Sequence, residues 1–119
     1  MTDTTFVNGV TLTDQGWFND TNAAVYRGVV INPVTVTANT TLTVNNNFVR
    51  ADGTSSGFTI TLMASPTDGK QYIIKKVDSS SNVIIISGNG INIDGSASLS
   101  ITNPNDSITL IYHTTWNSI

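Results

Sequence analysis

The sequence predicts an all-β protein, with an antiparallel β-sandwich or jelly-roll-like body behind a short N-terminal arm that contains one helix. Three observations predict it. Between Phe58 and Trp116 the runs FTITL, YIIKKV, NVIIIS, INI, SLSI and SITLIYHTTW are short and β-type, and SPTDGK, DSSSN, SGNG, DGSA and TNPND interrupt them at nearly regular intervals. Charged residues make up only 11% of the chain, less than half the usual share of about 25%. Every acid is Asp, which belongs to caps and turns, and Glu, a good helix former, is absent.

The first 32 residues differ in pattern from the rest and are read as an arm, with 33–119 as the body. After the strand-like FVNGVTL comes TDQGWFNDTNAAVYRG, where Thr13 or Asp14 can cap a helix, Gly28 can end it and Arg27 sits in the last turn. Trp17, Thr21, Ala24 and Gly28 share one stripe of that helix, and Phe18 and Val25 lie beside it. Gly16 and the Asn/Asp content weaken the helix, so it needs a surface to pack on. That surface is either the end of the protein's own core or another subunit.

From Val29 the period becomes two. The segments VVINPVTV, TTLTVNNNFVRA, FTITL, QYIIKKV, NVIIIS, INI, SLSI and SITLIY read as about eight strands. Leu42/Val44, Phe58/Ile60/Leu62, Leu99/Ile101 and Ile108/Leu110/Tyr112 are expected to point inward. Val83 to Ile86 is apolar at every position, as in a strand covered on both faces. Asp52-Gly53, Asp68-Gly69, Asn89-Gly90 and Asp94-Gly95 are expected as tight turns, and Pro33 suits a strand start or an edge. No internal repeat suggests a propeller or a solenoid.

Composition excludes several functions. A chain of 119 residues fits one domain and buries roughly two thirds of its unfolded surface. With no cysteine there are no disulfides, thiolate nucleophiles or Cys-based zinc sites. A net charge of −3 speaks against nucleic acid, which requires clustered Lys and Arg. Lys70, Lys75 and Lys76 come nearest to a cluster, but Lys75 and Lys76 point to opposite faces of a strand and read as solvated lysines. No export signal is visible, and no apolar run approaches the roughly 18 residues of a membrane span. A surface rich in Thr, Asn and Ser and poor in charge is typical of extracellular or virion β proteins.

Catalytic and metal motifs are weak. His113 is the sole histidine, without G-x-S-x-G or an oxyanion motif, and reads as a surface residue at a strand end. NGINIDG, Asn89 to Gly95, places oxygen ligands at alternating positions but lacks a Glu and dense acids, so two turns around a short strand explain it better than a calcium loop. DGK, Asp68 to Lys70, lacks the glycine and the Ser/Thr of a P-loop. Neither cofactor nor metal is expected. Tyr112 and Trp116 offer a possible stacking platform for sugar, although closing the core is the simpler role for both.

The string from Val49 to Trp116, VRADGTSSGFTITLMASPTDGKQYIIKKVDSSSNVIIISGNGINIDGSASLSITNPNDSITLIYHTTW, resembles small β-domains of tailed-bacteriophage virion proteins. Such domains occur as capsid decoration or head-fibre proteins and at tail-fibre tips. The resemblance lies in the order of elements: a Pro-containing turn, D-G-K, an aromatic strand ending in K-K-x-D, an apolar strand, a Gly-rich turn, I-D-G, and a last strand running to Trp. HTT before Trp116 departs from it, since a glycine turn is usual there. The arm GVTLTDQGWFNDTNAAVYRG is similar to the N-terminal attachment segments of phage fibres and tailspikes.

The resemblance implies a non-enzymatic virion protein on the capsid surface, a homotrimer whose partner is the phage major capsid protein or another virion protein. A short arm joined directly to the body fits a capsid knob better than a fibre with a long shaft. The arm would attach through Trp17, Phe18 and Tyr26. The alternative is a receptor- or glycan-binding tail-fibre tip, and a weaker one a secreted carbohydrate-binding domain, both using Tyr112 and Trp116.

Overall fold

The computed structural model describes residues 30–119, and the arm helix with Trp17, Phe18 and Tyr26 lies outside them. Nine strands form among the described residues: β1 Val34–Val36, β2 Thr40–Thr41, β3 Phe48–Ala51, β4 Phe58–Thr61, β5 Gln71–Lys76, β6 Ile84–Ser87, β7 Ser98–Ile101, β8 Ser107–His113 and β9 Thr115–Ser118. They make a five-stranded sheet, β1-β3-β5-β8-β9, and a four-stranded sheet, β2-β4-β6-β7. The body is all-β, and no helix occurs among the described residues.

Both sheets are mixed, where the sequence suggested antiparallel pairing throughout. β1, β3 and β5 run parallel, as do β2, β4 and β6, and the antiparallel pairs are β6–β7, β5–β8 and β8–β9. The chain alternates between the sheets, so each parallel crossover is made by a strand of the opposite sheet rather than by a helix. The result is three turns of a coil closed by antiparallel strands. Its turns are unequal. Val49 lies beside Val34 and then beside Ile74, and Ile60 beside Thr40 and then Ile86, so no fixed period appears in the sequence.

Inward faces of both sheets build one hydrophobic cluster. Val49, Ile74 and Ile108 share a row of the five-stranded sheet, and Phe58, Ile84 and Ile101 share one of the other. Each fully buried Ile or Leu contributes about 1.5–3 kcal/mol relative to an exposed one. Phe58, Ile60 and Leu62 are buried as their alternation predicts. Val44 is 56% exposed instead, because the chain leaves β2 at Thr41 and turns through 43–47, where the Thr43 amide donates to Asn46 Oδ1. INI is not a strand; Ile93 makes isolated bridges to Ser96 and Trp116 and is buried. Pro33 immediately precedes edge strand β1.

Two of the expected turns have the backbone their residues favour. Asn89-Gly90 and Asp94-Gly95 take positive φ at both positions, as in the primed turns. Asp52-Gly53 is a corner between the sheets rather than a hairpin. The tight hairpin is β8–β9, where His113 pairs with Thr115 around Thr114 at φ 68°. A β-branched residue holds the left-handed position that glycine suits.

Candidate functional site

The densest polar arrangement joins two corners of the coil. β5 alternates Tyr72, Ile74 and Lys76 inward, which drives the Lys76 ammonium out of solvent. There it donates to Asp78 Oδ2 at 2.6 Å and to the Ser80 carbonyl at 2.8 Å. Asp78 Oδ1 accepts from the Gly53 amide at 2.7 Å, Asp78 Oδ2 accepts from the Ser80 amide and hydroxyl, and Asn82 Nδ2 donates to the Gly53 carbonyl at 2.8 Å. Burial raises the Asp78 carboxyl, but the hydrogen bonds from Lys76, Ser80 and the Gly53 and Ser80 amides more than offset this and hold it well below the usual carboxylate range.

Lys, Ser and Asp side by side invite a catalytic reading, but the hydrogen bonding favours another. The ammonium is committed as a donor and the Ser80 hydroxyl donates to the carboxylate, so neither is poised to take a proton. The group clamps the turn after β3 to the turn after β5. Lys76 is therefore not the solvated lysine that its sequence neighbourhood suggested. Lys70 is also engaged. Its ammonium donates to the carbonyls of Val44 at 2.9 Å and Asn46 at 2.6 Å and lies 4.7 Å from the Tyr72 ring centroid.

Trp116 is fully buried, with Tyr72 at 5.5 Å and Tyr112 edge-on at 5.4 Å between ring centroids. Tyr72 donates to the Thr43 carbonyl at 2.8 Å, and burial pushes its phenol up to about 12. A sugar platform built on Trp116 does not exist in this fold, since β9 turns the indole into the core and leaves only Tyr112 half-exposed. His113 lies 2.7 Å from Asp68, a pair on the open surface between the D-G-K turn and the last hairpin. In NGINIDG, Asp94 accepts from the Ser118 hydroxyl and amide, which lower its carboxyl. No cluster of three metal-ligating side chains occurs among the described residues.

Two surface features remain. An open groove of about 420 Å³ is lined by Leu99 and Ile101 of β7 and by Asp94, Asp106, Ser107 and Ser118. The outward face of the four-stranded sheet carries Thr59, Ile85 and Ser100 in one row and Thr41, Thr61, Ser87 and Ser98 in the next. On it Ile85 is 39% and neighbouring Val83 37% exposed. The apolar run Val83 to Ile86 is thus covered on its inner face only, among the described residues. Sequence reasoning found the apolar strand but not its row partners, because the parallel register that aligns Thr59 with Ile85 leaves no local signal.

Comparison with known proteins found no family model that matches the chain, and no curated protein matches it.

Proposed function

We propose that this chain is a non-enzymatic structural protein of a tailed-phage virion, decorating the capsid as a cement or head-fibre homotrimer bound to the major capsid protein. The observation that carries this reading is the ordered string from Val49 to Trp116, whose motifs fall at working positions of the fold. D-G-K leads into β5, K-K-x-D supplies the clamp, and in I-D-G the buried Ile93 bridges Trp116 through the backbone. The two sheets are read as the layers of a β-sandwich. The helix of the arm, residues 1–32, carries attachment through Trp17, Phe18 and Tyr26.

Deleting residues 1–28 tests the division of labour. The truncated body folds and assembles but no longer binds capsids that lack the native protein; full decoration by it would overturn the role of the arm. The tail-fibre tip remains the second reading, favoured by the groove beside β7, whose carboxylates and hydroxyls suit the hydroxyl groups of a glycan.

A further inference from the structure

We infer that copies of this chain meet through the outward face of the four-stranded sheet, with Ile85 at the centre of the contact. The inference rests on the homotrimer reading and gives it a surface.

Charge is segregated in the described body. The four strands β2, β4, β6 and β7 contain no Asp, Lys or Arg, and neither do the stretches around them, 36–49, 53–67, 79–93 and 95–105. Arg50, Lys75 and Lys76 all lie in the five-stranded sheet. Each copy has a net charge of −3, so two copies repel unless they meet where charge is absent or self-matched. This face meets the first condition. The cores of protein interfaces are likewise depleted of charge.

The face also matches itself. A hydroxyl both donates and accepts, so the rows of Thr41, Thr61, Ser87 and Ser98 and of Thr59 and Ser100 present the same chemistry to an identical partner. Ile85, in the row with Thr59 and Ser100, and Val83 beyond that row supply apolar area that nothing among the described residues covers fully. In a cyclic trimer whose axis passes close to Ile85, that residue meets its two equivalents.

The absence of cysteine makes the test clean, because a single introduced thiol accounts for any disulfide between chains. In the full-length protein Ile85→Cys is expected to give a covalent dimer on mild oxidation, while Gln71→Cys, outward on the five-stranded sheet, stays unlinked. Ile85→Lys places a charge at the centre and is expected to weaken assembly roughly 30-fold, with circular dichroism unchanged. If the unmodified chain is trimeric and Ile85→Cys does not cross-link while Ile85→Lys keeps the trimer mass, this contact is wrong and the trimer reading survives. If the unmodified chain is monomeric, the trimer reading fails and the contact with it.

Discussion

Lys76 Nζ lies 2.6 Å from Asp78 Oδ2 with both side chains buried, and through the Gly53 amide the pair ties one turn of the coil to the next. Removing one partner of such a pair strands a buried charge. Lys76→Met and Asp78→Ala are each expected to cost about 3 kcal/mol or more, read by denaturant unfolding, whereas Lys75→Met, outward on the same strand, should change little.

The same carboxyl makes stability depend on pH at the acid end. Its folded value is depressed, so its contribution is complete above the unfolded carboxylate value of about 3.9 and is lost as pH falls below it. The melting temperature should therefore drop below about pH 4, and Asp78→Asn should flatten that part of the curve. At the alkaline end the sign reverses. The Tyr72 phenol is raised to about 12, so its contribution is complete below the unfolded value of about 10 and is lost as pH climbs through 12. Tyr72→Phe should lose this alkaline sensitivity.

The alternation of Phe58, Ile60 and Leu62 was legible in the sequence, and so was the placement of Lys75 and Lys76 on opposite faces of one strand, though not the burial of Lys76. Which strands pair was not. Turn residues such as Asp52-Gly53 mark any reversal of direction, whether a hairpin or a corner between sheets, and the unequal coil turns left no period to find. The buried clamp had a faint signal: Tyr72, Ile74 and Lys76 share one parity, with Asp78 and Ser80 continuing it. For Trp116 the core role, the simpler of the two the sequence offered, agrees with its burial; aromatic residues at a strand end look alike in sequence whether they face sugar or core.

Thr114 holds φ at 68° in the last hairpin, a conformation that costs a β-branched residue about 1–2 kcal/mol. Thr114→Gly should raise stability by about 1 kcal/mol after the entropy of glycine is counted. Thermal unfolding measures it, and a lower melting temperature would contradict the account of this turn.

Gly57 is constrained by contact rather than by φ. A Cβ there would lie 2.4 Å from the Val83 carbonyl, which is backbone and cannot swing aside. Gly57→Ala is expected to destabilise the protein by about 2 kcal/mol and to shift the amide resonances of β4 and β6.

Trp116→Ala should act as a core deletion, costing about 3–5 kcal/mol, rather than as the loss of a binding surface. Glycan-array binding that disappeared in this variant with stability unchanged would restore the platform and favour the tail-fibre tip.

The central claim is a place on the capsid, and the copy number of this chain in purified virions tests it most directly. Quantitative mass spectrometry against the major capsid protein should find hundreds of copies, in multiples of three at the sites that cryo-electron microscopy locates on the shell. A few dozen copies or fewer, located on the tail, or complete absence from the particle, would contradict it.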